Sequence, residues 1–424
     1  MRRRHRAPRR RNGMTMFRIA RAAARRPLLP LVAAALLAAV TGTASAAPRV
    51  WFGPSVPLQH GQYRIQGADD FSDLFKADAP WQDTASRIQV FKLYGTYILQ
   101  TPDDQLSAIF KFLGRRHIAL AVEFGPLTPG DDKCGTGVEG FSGGEAQGAT
   151  LARKVKSLGG EIAFVAMDEP LWFGGIADGS KACKWSAREI AENANATVKG
   201  VHSVFPQAVF GDIEPLRRID GDLIGRYAEW IDAWKEATGA PLGFFHADVL
   251  WGRGGDAMLK EFAAMLQQKG VPFGIIYNGD STETSDATWT DAARRRYEAY
   301  EADNPPPADA VFQSWNPYPK QLLPDTQPGT FTNLLRGYSR GVARFASVEP
   351  GGAVSGRLED GQGRPIAGAT VALQAKGGSG GQLEQSVEGT VPRNAAKMMI
   401  AWRANTECGG CSGDADVLVR PPRF

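Results

Sequence analysis

The sequence predicts an α/β protein: a (β/α)8 TIM barrel followed by a small all-β sandwich domain. Three observations predict it. Eight short, almost wholly apolar segments recur between residues 49 and 315. Amphipathic stretches at helical spacing separate most of them, the pattern of parallel strands joined by helical crossovers. After about residue 346 the texture changes to short alternating segments divided by glycine-rich turns, the pattern of a β-sandwich.

The eight strands are expected at residues 49–56 (RVWFGPSV), 87–94 (RIQVFKLY), 118–124 (IALAVEF), 161–168 (EIAFVAMD), 208–213 (AVFGDI), 241–248 (PLGFFHAD), 272–278 (PFGIIYN) and 308–315 (ADAVFQSW). Helical periodicity places helices at 102–117, 144–158, 186–204, 221–238, 256–269, 291–302 and 331–337. Several stop at glycine just before the next strand (Gly159-Gly160, Gly239, Gly270), because glycine accepts the left-handed backbone that ends a helix. Residues 59–86 lack a clean helical pattern and read as a long loop with one short helix. Eight such units in roughly 295 residues fit a closed barrel of typical size. An open doubly wound sheet would more naturally carry a glycine-rich phosphate loop after its first strand, and this sequence has none there.

The division follows as 1–46, 47–346 and 347–424. The first 26 residues hold 11 arginines and no acid, and residues 27–40 (PLLPLVAAALLAAV) form an apolar run of 14. Ala44-Ser45-Ala46 then supplies a small-residue cleavage site. Together these read as a secretory signal peptide, with no stable membrane insertion after cleavage and a secreted or periplasmic product. The run is shorter than the roughly 20 residues that span a bilayer. The formal net charge of +4 depends on the basic leader; without it 38 basic residues face 45 acidic ones. Such a chain has no electrostatic reason to seek nucleic acid. An even set of cysteines in an exported chain suggests disulfides. Cys134 and Cys183 fall in the loops after the third and fourth strands and are expected to pair. Cys408 and Cys411 are expected to close a tight local bridge in the tail.

The chemistry of a (β/α)8 barrel sits at the C-terminal ends of its strands. Polar residues collect there: Lys92 on the second strand, Glu123 on the third, Asp168 and Glu169 at the fourth, Asp212 and Glu214 on the fifth. His246 and Asp248 follow on the sixth, and Asn278 and Asp280 at the seventh. Charged groups inside strands are costly unless paired or used, and the N-terminal halves of most of these strands carry almost none. Trp172, Trp251, Trp289 and Trp315 gather at the same ends, where flat rings can stack on sugar C–H faces. Tyr227, Trp230 and Trp234 repeat at helical spacing instead and read as core. Lys92 reads as a partner of Glu123. His246 and Asp248 lack a third ligand, so no metal is expected, and no cofactor is expected.

Asp168-Glu169-Pro170 after the fourth strand resembles the N-E-P motif of clan A glycoside hydrolases. The resemblance implies a two-carboxylate glycosidase in which Glu169 is the general acid/base and Asp168 binds the sugar 2-hydroxyl. Asp stands here in place of the family's Asn, which removes a donor. The family's nucleophile is a Glu ending the seventh strand; this chain has Asn278-Gly279-Asp280 there. Asp280 and Glu214 are therefore both candidates for the second carboxylate. The substrate-binding set is expected to be Asp168, Lys92, Glu123, Trp172, Asp212, His246, Asp248, Trp251, Asn278 and Trp315. In the tail, VSGRLEDGQGRPIAGATV resembles the bacterial immunoglobulin-like repeats called carboxypeptidase regulatory-like domains, which implies a fold and no ligand. The expected function is hydrolysis of a polysaccharide outside the cytoplasm. The alternative is a barrel that binds carbohydrate without cleaving it.

Overall fold

The computed structural model describes residues 48–341 apart from positions 61, 62, 66 and 220, together with five short strands of the tail. Eight parallel strands form a closed barrel. They are β1 (Arg49–Gly53), β2 (Val90–Tyr94), β3 (Ala119–Phe124), β4 (Ile162–Asp168), β5 (Val209–Leu216), β6 (Phe245–Val249), β7 (Phe273–Ile276) and β8 (Asp309–Gln313). β1 pairs with both β2 and β8, which closes the ring. Each expected strand is present, usually shorter by a few residues at its ends.

The helices that follow the strands include α1 (Gln82–Ala85), α2 (Asp103–Arg116), α3 (Glu145–Ser157), α4 (Ala187–His202), α5 (Leu223–Thr238), α6 (Leu259–Lys269), α7 (Asp286–Asp303) and, after the last strand, α8 (Phe331–Gly341). α7 begins five residues before its expected start, because Ser285 and Thr288 form a reciprocal N-terminal cap. The irregular first crossover holds a small hairpin (Leu58–His60 with Tyr63–Ile65) besides its short helices. Among the described residues no helix is long and apolar enough to cross a membrane.

In the tail, Ala353–Gly356 pairs antiparallel with Met398–Ala401. Thr370–Lys376 pairs antiparallel with both Gln382–Val387 and Ala415–Arg420. The expected signal peptide, the packing of these strands into a sandwich, and Cys408 and Cys411 lie outside the described residues.

Strand alternation sorts the side chains into two cores. Outward residues pack under the helices as the larger core. Inward residues fill the barrel: Trp51, Val90, Ala121, Ala166, Ile213, Ile276 and Val311, joined by Phe244 just ahead of β6. Trp51 lies 5.1 Å from the ring of Phe164 and 5.0 Å from that of Phe244. This is a packed plug that shuts the lower barrel.

One polar cluster crosses the lower wall. Arg49 clamps Asp309 across the β1–β8 seam, with Nε–Oδ1 at 2.6 Å and Nη2–Oδ2 at 2.9 Å. His246 Nε2 reaches the same carboxylate at 3.1 Å. Asp309 and His246 both align with Gly274 of the intervening β7. A Cβ at Gly274 would meet His246 Cδ2 at 2.3 Å, so only glycine lets the imidazole pass. Burial pushes the Asp309 carboxyl up, but His246 and Arg49 together hold it below the usual carboxylate range. Removing the carboxylate leaves buried His246 Nε2 and the partly exposed Arg49 guanidinium without their acceptor. Asp309→Ala is therefore expected to cost about 1–3 kcal/mol, read as a lower midpoint in urea unfolding. An unchanged midpoint would exclude this cluster as a support of the barrel seam.

Candidate active site

The upper barrel is polar where the lower barrel is apolar. Lys92, on the inward face two residues above Val90, is 3% exposed and ion-paired to Glu123. It also donates to Gln313 Oε1. Gln313 Nε2 donates to both oxygens of Glu123 at 3.0 Å and to Tyr94 Oη at 3.0 Å. Gly53 makes room for this network, since a Cβ there would stand 3.3 Å from Lys92 Cε. The expected Lys92–Glu123 pairing is present. Gln313 and Tyr94, polar residues at strand ends but outside the expected substrate-binding set, complete it.

Asp168 and Glu169 rise beside this network. In a regular strand neighbours point to opposite faces. Glu169 breaks the alternation, because its φ is 48°, in the left-handed region. Its N–H still donates to Ile213 O at 3.0 Å, so the turn comes directly after the last ladder bond. As a result the same acids act on both side chains. Burial, then Glu123 and Glu139, push the Asp168 carboxyl well above the usual range, while Lys92 pulls it down. Burial, then Asp248 and Asp168, push Glu169 up strongly. Asp248, inward on β6 two residues above His246, is raised to about 7 by burial and Glu123, against the pull of Lys92. Asp168, Glu169 and Asp248 are all partly exposed, so solvent reaches them.

The loops after β3 and β4 wall this end. Cys134 and Cys183 are joined as expected, tying two points 49 residues apart. A Cβ at Gly140 would stand 3.3 Å from Asp168 O, which shows how closely the β3 loop packs on the β4 end. Trp172 is partly exposed, with the Arg217 guanidinium 5.3 Å from its ring. Trp315 is 39% exposed on the β8 side.

Several expected site residues stand elsewhere. Ile213 fills the barrel, so its neighbours Asp212 and Glu214 face outward. Asp212 accepts from Trp230 Nε1 at 2.6 Å, under α5. Glu214 accepts from the backbone of Leu171 at 2.6 Å and of Trp172 at 3.0 Å. Neither can touch a substrate in the mouth. His246 is fully buried against Asp309, and burial lowers its imidazole pKa. Asp280 accepts from Thr282 N at 3.0 Å and lies 3.9 Å from Arg296. Its carboxyl is held below the usual range chiefly by the Thr282 backbone bond. Asn278 is buried and its side-chain oxygen is engaged by Arg296 at 3.2 Å. Trp251 packs on Tyr277 with Arg296 over its ring, and Trp289 is wholly buried against Phe331.

No protein-family profile and no curated protein matches this sequence. Among solved structures the chain is similar to a Cellulomonas fimi endo-beta-1,4-mannanase double mutant, at 10% identity over 89% of this chain and 94% of that one, with a TM-score of 0.42. It is similar to GH5_18 from Streptomyces cattleya in complex with GlcNAc, at 11% identity over 70% of this chain and 82% of that one, TM-score 0.45. It is also similar to a D-psicose 3-epimerase in the presence of D-fructose, at 12% identity over 57% of this chain and 78% of that one, TM-score 0.33. The barrel itself rests on its own strand pairing.

The raised carboxyl of Asp248 makes folding depend on pH. Unfolded, Asp248 loses its proton near the model-peptide value; folded, it keeps it to about 7. Between those limits the native state binds more protons, so stability falls as pH rises and levels off above about 7. Asp248→Asn removes this penalty. It is expected to raise the thermal midpoint more at pH 8 than at pH 5, by several degrees; an equal gain at both would place Asp248 in ordinary solvent.

Proposed function

We propose that this protein is a secreted or periplasmic glycoside hydrolase acting on a polysaccharide, with Glu169 as general acid and Asp248 as the second carboxylate. One observation carries this reading: two solvent-reachable carboxyls at the C-terminal mouth of a closed barrel, each raised by burial, with Asp248 the strongest charge acting on Glu169. Glycoside cleavage needs one carboxyl that delivers a proton to the leaving oxygen and one that is ionised to attack the sugar or activate water. Like charges in one cavity ionise in sequence. Asp248 gives up its proton at about 7, and Glu169, pushed further by the resulting charge, keeps its own.

Each remaining group has a part in this reading. Asp168 accepts from a sugar hydroxyl. The Lys92–Glu123–Gln313 network forms the floor and offers Glu123 and Tyr94 to hydroxyls. Trp172 and Trp315 supply the flat rims on which pyranose rings stack. The Cys134–Cys183 bridge fits an oxidising compartment and braces the wall beside Glu169. Asp280, tied to the Thr282 turn beside Arg296, has no catalytic part. That same absence of a mouth-facing acid at the end of β7 favours the second reading, a barrel that binds carbohydrate without cleaving it.

A panel of polysaccharides digested by the wild-type protein separates the two. Glu169→Gln and Asp248→Asn are each expected to lower kcat about 100- to 10,000-fold. The wild-type rate is expected to rise with pH through about 7, as Asp248 ionises, and to fall at higher pH as Glu169 loses its proton. Binding without turnover across the panel, or full activity in Glu169→Gln, overturns the hydrolase reading.

A further inference from the structure

The donors that follow Glu169 have a complete account. A short helical turn begins at Pro170 and continues into the π-helix Trp172–Ile176. The first N–H groups of a helical turn have no partner within it, and the residue at its start usually satisfies them with its own side chain. Here that residue is Glu169. Pro170 has no N–H to satisfy. The Leu171 and Trp172 N–H groups donate to the two oxygens of Glu214, at 2.6 and 3.0 Å. Phe173 N donates to Glu169 O at 3.0 Å. The capping function has passed from Glu169 to a carboxylate on the outer face of the neighbouring strand.

We infer that Glu214 is a positioning residue: by capping Leu171 and Trp172 from β5 it holds the left-handed turn at Glu169 and leaves the Glu169 carboxyl free to face the barrel mouth. The inference rests on the reading of Glu169 as the acid of a hydrolase, and it assigns Glu214 no contact with substrate. Glu214 is 1% exposed, so water cannot substitute for it. Both oxygens accept, one from each N–H, a double demand that a carboxyl group meets and a side-chain amide does not. Burial, then the charges of Asp212 and Glu169, hold its carboxyl well above the usual range despite the two backbone donors. Asp212, two residues earlier on the same outer face, accepts from Trp230 Nε1 and the Ile213 backbone, and from neither Leu171 nor Trp172.

Glu214→Gln keeps the shape but sets an NH2 against one of the two N–H donors, leaving a buried donor unpaired. Amide hydrogen exchange at Leu171 and Trp172 is expected to be slow in the wild-type protein and about 10-fold or more faster in the variant, where each factor of ten is one lost increment of local protection. A ¹³C-carboxyl NMR titration is expected to show the Glu169 midpoint displaced in Glu214→Gln and unmoved in Asp212→Asn. On a cleaved polysaccharide, kcat is expected to fall about 10- to 100-fold with KM nearly unchanged, the size of loss that slight misplacement of a reacting group produces. If Glu214→Gln lowers only the thermal midpoint and leaves the exchange rates and the Glu169 titration where they were, Glu214 is structural and the inference fails. Should that variant not fold, wild-type amides at Leu171 and Trp172 that exchange like open loop amides overturn it equally. The exchange and titration readouts need no turnover, so a protein that cleaves nothing loses its hydrolase reading while the role of Glu214 is still decided.

Discussion

The left-handed backbone at Glu169 is the constraint on which the site depends. A strand presents its residues to alternate faces, so two consecutive acids at the end of β4 cannot both enter the barrel unless the backbone leaves the strand between them. The φ of 48° does this at a non-glycine residue, a conformation that costs of order 1–3 kcal/mol and persists only when its surroundings hold it. Three restraints converge on it. The Glu169 N–H completes the ladder to Ile213, Pro170 fixes the next φ, and the N–H groups beyond it are anchored to Glu214.

The barrel sets the electrostatics above that turn. Its lower half is closed by Trp51, Phe164 and Phe244, with a cluster in which Arg49 and His246 Nε2 both bind the Asp309 carboxylate. Its upper half carries Glu123, Asp168, Glu169 and Asp248 against Lys92. Lys92 is committed to Glu123 and Gln313, so the remaining carboxyls share too little positive charge and raise one another. Desolvation by the apolar plug below and the disulfide-braced loops above makes that repulsion count.

Much of this was legible along the chain. Apolar runs marked all eight strands, and helical spacing marked the long helices, because burial on both faces of a parallel sheet leaves an unbroken apolar signature. The Lys92–Glu123 pair and the Cys134–Cys183 bridge were legible for a similar reason: a barrel puts successive strand ends side by side. The errors share one cause. Asp212, Glu214 and His246 were placed at the mouth by their nearness to strand ends, whereas the face a residue takes depends on register and depth. Ile213 turned inward sends both its acidic neighbours outward. His246 sits a layer too low, and Gly274, which admits it, carries no visible sign of that task. Trp289 follows a strand in sequence but lies in the first turn of α7, which Ser285 caps, and is therefore buried rather than on the rim.

By itself, then, the order of residues determined the class of fold, the direction of its strands and the end at which acids gather, since these follow from local periodicity and from which residues tolerate burial. Tertiary structure alone decided which acids meet. Asp248 rather than Asp280 is the charge that acts most strongly on Glu169, because Arg296 stands beside the β7 end while β6 carries its acid on the inward face. Facing and distance between strands are properties of the closed ring, and no stretch of chain carries them on its own.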